Sequence, residues 1–262
     1  MTDLSLNLAH PAPPTLLLGE PAQLSASELW LITLGAPLAV QRGDRLNQLH
    51  TGQSDEIISK AMAEYWDVGS RSDFTTTASW LIEAGQRSHY FSIWRAMCQV
   101  EERRHKPAGI LHFFGAAHAE AKETGNAARA LATRLGLDSD ELFLQLRNSG
   151  DWIGDILERQ TLHAKRVKGF AAWDAVRLIT LCRWAVQLGL IAPEEFAGFA
   201  SGLNHEVRIC YNNWRDFSSA YVVAGLVDNY SADRSHTLRH IHKLLNKELS
   251  SPFQSIHFQT IL

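Results

Sequence analysis

An aspartate and an arginine lie one turn apart in the most apolar helix that the sequence predicts. Asp174 and Arg177 fall within AAWDAVRLITLCRW, residues 171–184. At 3.6 residues per turn, Asp174 lies beside Leu178 and Leu181, on the apolar side of this helix. A lone buried carboxylate is costly unless it is paired and hydrogen-bonded. The sequence therefore predicts a buried ion pair between Asp174 and Arg177. An arginine from another segment of the chain could complete the network.

This pair has two interpretations, and the residues leave both open. In the structural one, Asp174 and Arg177 form a polar staple that ties the helix to a loop or helix end and sets its rotation. In the functional one, Asp174 is a general base or ligand anchor in a cleft, where Arg177 or Arg183 holds an anionic group.

The segment YWDVGSRSD repeats the order Trp, Asp, Arg earlier in the chain. Asp67 and Arg71 could join the first pair in a single pocket. The alternative, which we favour, is a turn in which Gly69 ends one helix and Ser72 or Asp73 begins the next.

The candidate site predicted from the sequence thus combines a polar cluster with aromatic residues. Each of the eight tryptophans needs a partner for its indole N–H group if it is buried. The polar members are Asp174, Arg177, Arg183, Asp67 and Arg71, and the aromatic support comes from Trp173, Trp214 and Tyr221. No individual catalytic residue is specified by any motif.

Neither a metal site nor a cofactor is predicted. Cys98, Cys182 and Cys210 lie far apart and form no CxxC pattern. His236 and His240 have a spacing that can hold a metal, but no HExxH pattern or nearby acidic ligand accompanies them. A solvated basic helix face is the simpler interpretation of these histidines.

Composition and charge narrow the function classes. The chain has 262 residues, of which 45% are hydrophobic and 20% charged, as in an ordinary globular protein. A net charge of -3 gives no general attraction to nucleic acid, and the basic segment 159–168 is interpreted as a solvated face. The sequence contains no GxxxxGK[ST], GxGxxG or GxSxG motif. It has no apolar stretch long enough to span a membrane and no secretory signal, and we expect a reduced, cytoplasmic setting.

The elements that must position these residues are predicted to be helices. We expect a loose arm over residues 1–26, an all-α domain over 27–250 that forms a single compact, irregular bundle, and a tail over 251–262. The predicted helices include 88–103, 108–135, 138–148, 151–164 and 170–188, and one that begins at Pro193 and carries an apolar stripe to Trp214.

The C-terminal half contains the segment GFAAWDAVRLITLCRWAVQLGLIAPEEF, followed by NNWRDFSSAYVVAG. These segments resemble a bacterial family catalogued as domain of unknown function 1266. The matching positions are Trp173, Asp174, Arg177, Arg183, Gly189, Glu194, Glu195, Trp214, Phe217, Tyr221 and Gly225.

The N-terminal half is similar to the same family through LITLGAPLAVQRGDRLNQLHTG and through Trp66, Val68, Arg71 and Asp73. The resemblance covers most of residues 27–228. Leu226 occupies a position where the family often has an arginine, so no role of that arginine carries over. The resemblance implies a mainly helical, intracellular bacterial protein and supplies no reaction.

Two function hypotheses follow, from different classes. We interpret the chain as a non-enzymatic protein that binds another protein, in an accessory or immunity-type role. The alternative is an enzyme or small-ligand binder that uses an Asp/Arg cleft. A nucleic-acid partner is the least favoured class.

Overall fold

The computed structural model describes residues 13–20, 23–104, 132–133, 136, 138 and 167–260, with the backbone alone for residues 99–104. The helices predicted over 108–135, 138–148 and 151–164 lie outside this part, apart from residues 132, 133 and 138. Within it the chain forms helices, turns and one isolated β-bridge between Leu17 and Arg45. The prediction of an all-α protein is confirmed.

The helices are numbered in chain order over the described residues. The first five are α1 (Ala26–Leu34), α2 (Ala36–Arg42), α3 (Asp55–Trp66), α4 (Arg71–Glu83) and α5 (Arg87–Arg104). They are followed by α6 (Ala171–Gln187), α7 (Phe196–Ala200), α8 (Asn204–Cys210), α9 (Trp214–Asp228), α10 (Ala232–Lys247) and α11 (Pro252–Ser255).

Helix α6 lies at the centre of the fold. Every residue from Ala171 to Ala185 is buried, and the helix packs against α1 to α5 and α7 to α9. It ends in a Schellman motif, in which Gly189 has a φ of 69° and Leu190 donates to the carbonyl of Ala185 at 2.8 Å. A helix surrounded in this way must neutralise any charge that it carries with partners from its neighbours.

The helix predicted to run from Pro193 to Trp214 is interrupted. It consists of a 3-10 turn (Pro193–Glu195), α7, a second 3-10 turn (Ser201–Leu203) and α8. The chain then extends at Tyr211, and Asn213 caps α9 through its side chain. The Tyr211 hydroxyl donates to the carbonyl of Gly169 at 2.8 Å, so the break ties α8 to the start of α6.

The turn between α3 and α4 agrees in outline with the interpretation that we favoured, but other residues form it. Asp67, with a φ of 54°, caps the end of α3, and Ser70 caps the start of α4 by accepting from the backbone of Asp73. Gly69 was predicted to end the first helix and Ser72 or Asp73 to begin the second, and the prediction was wrong in this detail. Asp67 adopts the left-handed conformation that aspartate tolerates better than most residues.

Residues near both ends of the described chain pack onto the bundle. Leu46 donates to the carbonyl of Leu17 at 2.9 Å, and Gly19 exchanges two hydrogen bonds with the Asn47 side chain. Residues 17–19 of the predicted arm are therefore bonded to the loop after α2. For residues 1–12 and 21–22, the loose arm stays a prediction.

The C-terminal tail is part of the core. The indole of Trp30 donates to the carbonyl of Phe258 at 2.9 Å, and the indole of Trp214 donates to that of Ile256 at 2.6 Å. The ring of Trp214 stacks on Phe253 with centroids 4.8 Å apart and meets Phe258 edge-on at 4.8 Å. The tail thus supplies hydrogen-bond acceptors for two buried indoles.

In the described part of the chain, none of the helices has the length and apolar character needed to cross a membrane.

Phe258→Ala should destabilise the protein strongly, because it removes a buried ring from the contacts with Trp30 and Trp214. We expect the free energy of unfolding in urea to fall by about 3–5 kcal/mol. Leu249→Ala is the control, because its side chain is 92% exposed, and it should change stability by less than about 0.5 kcal/mol. Equal effects of the two variants would show that the tail is not part of the cooperative core.

Candidate functional site

The Asp174 carboxylate is completely buried and accepts hydrogen bonds at both oxygens. Its Oδ2 accepts from the backbone N–H groups of Gln86 and Arg87, at 3.0 and 2.9 Å, and from Arg87 Nη1 at 3.2 Å. Its Oδ1 lies 3.4 Å from Arg177 Nη1. Gln86 directly precedes α5 and Arg87 is its first residue, so a side chain from α6 satisfies N–H groups that the start of α5 leaves without a partner.

Gly85 makes this approach possible. Its φ of 55° is left-handed, and a Cβ atom at this position would lie 2.0 Å from Asp174 Oδ2. Any other residue would therefore meet both backbone strain and a collision with the carboxylate. The turn between α4 and α5 thus needs glycine next to Asp174.

Arg87 is a partner of Asp174 that the sequence did not identify. The sequence predicted that a further arginine could join Asp174 and Arg177. It could not specify which one, because Arg87 lies 87 positions away from Asp174 in the chain. Its guanidinium donates to the carbonyls of Leu81, Ile82 and Ala84 at the end of α4. Its Nε lies 2.7 Å from Glu206 on α8. A cation at the C-terminus of α4 also opposes the negative end of the helix dipole. The signal that could have found it is the run AGQR, in which an arginine follows a glycine turn between two predicted helices.

Three tryptophans surround the guanidinium of Arg177. Its Cζ lies 4.8 Å from the ring centroid of Trp66, 5.5 Å from that of Trp173 and 6.0 Å from that of Trp80. Its Nη1 also donates to Gln86 Oε1 at 3.1 Å. These cation–π contacts join α3, α4 and α6 around a single charge.

Some nitrogen atoms of this cage, which consists of Arg177 and the rings of Trp66, Trp80 and Trp173, have no hydrogen-bond acceptor. Within the described part of the chain, Arg177 Nε and the indole nitrogens of Trp66 and Trp173 are buried without a hydrogen-bond partner. The sequence-based expectation that each buried indole finds a partner holds for Trp30 and Trp214 and fails here. All three orphaned groups are donors, so an acceptor atom is the species that would complete the cage.

Arg183 lies away from this cluster. Nine residues after Asp174, it projects from the opposite side of α6, about 180° around the helix. It is buried, and it donates to the carbonyls of Arg45 and Leu49 at 2.6 and 3.3 Å. Burial lowers the pKa of Arg183 to about 10, and Asp44 opposes that shift. The structure thus uses Arg183 to hold the loop after α2, and the predicted role beside Arg177 has no contact to support it.

Asp67 and Arg71 are exposed and belong to the surface. Arg71 pairs with Glu195, its Nη1 and Nη2 lying 2.9 and 2.5 Å from the two carboxylate oxygens. The hydrogen bond from Arg71 lowers the pKa of Glu195 to about 2. In the described part of the chain, no hydrogen bond or ion pair connects Asp67 or Arg71 to Asp174. The interpretation of one shared pocket is therefore replaced by a turn and a surface pair.

The predicted aromatic residues divide between two places. Trp173 and Tyr221 lie together, with ring centroids 5.4 Å apart, and Tyr90 lies 6.1 Å from Trp173. Tyr90 donates to Asp228, which also pairs with Arg234 at 3.1 Å, and burial together with Asp228 raises the pKa of Tyr90. Trp214 belongs instead to the packing of the C-terminal tail, because its ring and indole nitrogen are turned to residues 253–258.

Chemically, the Asp174 cluster is equipped to hold helices. Its carboxylate has no exposed surface, and its four donors are contributed by the protein itself.

His236 and His240 stack in parallel with centroids 6.5 Å apart. Across the described residues, no group of three or more His, Cys, Asp or Glu side chains is placed to hold a metal ion.

Comparison with known proteins identifies one family. A family model described as "Protein of unknown function (DUF1266)" matches residues 61–258, from within α3 to the tail that packs on Trp214. The match includes Trp66, Arg87, Asp174 and Arg177. No curated protein and no solved structure matches the chain.

Gly85→Ala should destabilise the protein more than an equivalent change at another left-handed glycine. Gly189 is the matched control, since its φ is 69° and a Cβ atom there would meet nothing within 4 Å. Gly189→Ala should cost about 1–2 kcal/mol of backbone strain. Gly85→Ala should cost about 3 kcal/mol or more, because it also displaces the Asp174 carboxylate. Similar losses in urea unfolding would contradict the close approach of Asp174 to this turn.

Asp174→Asn should lower the free energy of unfolding by about 3–5 kcal/mol, because it leaves Arg87 and Arg177 buried without their shared anion. The amide nitrogen would also face donors. Thermal and urea unfolding measure the effect. Arg71→Gln serves as the control, since it breaks an exposed ion pair, and its melting temperature should remain close to that of the wild type. A stable Asp174→Asn variant would show that the carboxylate is dispensable for folding.

Proposed function

The chain belongs to the DUF1266 family, and from that premise we propose that it is a non-enzymatic protein-binding protein of the bacterial cytoplasm, with an accessory or immunity-type role. The proposal is carried by the state of Asp174. A general base must reach a substrate proton and must have a lone pair free to accept it. Asp174 is 0% exposed and accepts from four donors of its own chain.

The remaining charges of the candidate site support the same function. Arg87, Arg177 and Arg183 make hydrogen bonds inside the protein, and Arg71 is paired with Glu195. The residues that first suggested chemistry thus serve to hold helices and loops in place. Binding through the outer surface needs such a rigid scaffold and no reactive group.

Exposed apolar side chains are the groups that a protein partner would cover. Leu249 is 92% exposed and Ile209 is 64% exposed. Burying each of them against a partner would contribute roughly 1.5–3 kcal/mol before the costs of association. These two side chains support a contact surface in the C-terminal part of the chain.

A small-ligand binder is the second candidate, and one observation favours it. The buried donors of Arg177, Trp66 and Trp173 lack acceptors, and a carboxylate or phosphate oxygen would satisfy them. Entry of such a group would require the cage to open, because these nitrogens are covered by the surrounding side chains. A small molecule retained through purification from the native host would favour this candidate.

Purification of the tagged chain from its native host at endogenous level should recover a second polypeptide at a constant ratio. Asp174→Asn and Arg177→Gln should lose melting temperature and partner together, because the scaffold presents the binding surface. Arg71→Gln should retain both. A variant of Asp174 that keeps its melting temperature while it abolishes turnover of a metabolite would overturn the proposal.

A further inference from the structure

An open groove lies on the C-terminal part of the fold, between the start of α9, the end of α10 and residues 253–258. Its volume is about 650 Å³, which is within the range of small ligand sites. Its lining combines polar side chains, among them Asn212, Arg215, Asn246 and Gln254, with the ring of Phe253. The Asp174 cluster contributes no residue to it.

The walls of the groove are held in place by contacts within the protein. Asn213 caps α9 by accepting from the backbone of Asp216 at 2.8 Å, and Trp214 stacks on Phe253. Gln254 Nε2 donates to the carbonyl of Asn246 at 2.9 Å, which joins the tail to the end of α10. A partner would therefore meet a preformed surface and would order little of this chain on binding.

Several hydrogen-bonding groups of the lining are free. Asn246 uses its amide nitrogen on Ser218 and on the carbonyl of His242, and Gln254 uses its own on Asn246. In the described part of the chain, the amide oxygens of Asn246 and Gln254 accept no hydrogen bond. The side chains of Asn212 and Arg215 make none there either, and both are exposed.

The chemistry of these free groups matches a polypeptide main chain. A carboxamide offers an acceptor oxygen and N–H donors, the same groups that a peptide unit presents. An extended segment keeps its N–H and C=O groups unpaired and able to bond with such side chains. Arg215 and Asp216 both line the groove and their charges offset each other, so the lining does not favour a highly charged ligand such as nucleic acid.

The two most exposed large apolar side chains of the described residues, Leu249 and Ile209, lie close along the chain to residues that line this groove. Leu249 follows Asn246 by three residues and Ile209 precedes Asn212 by three, so each lies within about 11 Å of a lining residue along the chain. Their exposed fractions are 92% and 64%. Two apolar anchors beside a polar groove form the pattern of a contact surface, in which apolar groups supply affinity and hydrogen bonds supply register.

We propose that this groove binds an extended, uncharged segment of a partner polypeptide. The segment's main chain bonds to Asn212, Asn246 and Gln254, and its apolar side chains cover Ile209 and Leu249. This inference rests on the proposed protein-binding function and names the surface that performs it.

Selection of a displayed library of random dodecapeptides on the immobilised full chain tests the inference. Enriched peptides should carry apolar residues on both sides of an uncharged stretch. Fluorescence anisotropy with synthetic peptides should show at least tenfold weaker binding to Leu249→Asp and to Ile209→Asp, and severalfold weaker binding to Asn212→Ala. Ile57→Asp is the matched control, because Ile57 is 42% exposed on α3 and does not line the groove, and its affinity should equal that of the wild type. Circular dichroism checks that each variant is folded.

Three outcomes would overturn the groove as a peptide site. One is a library that yields no peptide whose affinity depends on Leu249. Another is a native partner that co-purifies equally with the wild type and Leu249→Asp, in which case protein binding stands and the groove does not. The last is a dimer in sedimentation that Leu249→Asp dissociates, which would assign the surface to a second copy of the chain. Absence of any partner from the wild type would instead count against the proposed function itself.

Discussion

The carboxylate of Asp174 connects two helix ends to the central helix of this protein. It accepts from the first N–H groups of α5, while Arg87, which faces it, donates to the last carbonyls of α4. The relative positions of α4, α5 and α6 therefore depend on one buried anion and on the glycine that lets it approach. Buried ion pairs contribute little net stability, but removal of one partner leaves an uncompensated charge. A constraint of this kind selects one arrangement of the helices over others of similar hydrophobic burial.

The opposite side of α6 is anchored by a different chemistry. Arg183 donates to carbonyls of the loop after α2, and Gln187 accepts from Thr51 and donates to the carbonyl of Gln53. Arg42 stacks over the ring of Trp184, with Cζ 4.3 Å from the centroid. One helix thus organises the bundle through an anion on one side and guanidinium donors on the other. The contacts that these side chains make with neighbouring segments explain why an otherwise apolar helix contains charged residues.

The Asp174 cluster and the groove proposed as a contact surface are built from different residues. The Asp174 cluster occupies the interior, where its carboxylate accepts from four donors while nearby nitrogens of Arg177, Trp66 and Trp173 lack an acceptor. Among the described residues, free side-chain amide groups line the C-terminal groove. Packing of the tail against Trp30 and Trp214 shapes that surface, because Phe253 stacks on Trp214 and Gln254 bonds to Asn246. The same contacts that stabilise the core thereby hold the walls of the groove.

The sequence by itself determined the helical class, the burial of Asp174 and its pairing with Arg177, because all three follow from the regular spacing within one helix. Only the tertiary structure decided which other residues meet. Arg87 reaches Asp174 across 87 positions, and Arg183, on the same helix, is turned to the opposite side and to another loop. Spacing along a helix specifies which side chains share a face, but the neighbours of that face depend on how distant segments pack. For that reason the residues grouped from the sequence lie in different places: Asp174 and Arg177 form a buried ion pair, Arg183 holds a loop, and Asp67 and Arg71 lie on the surface.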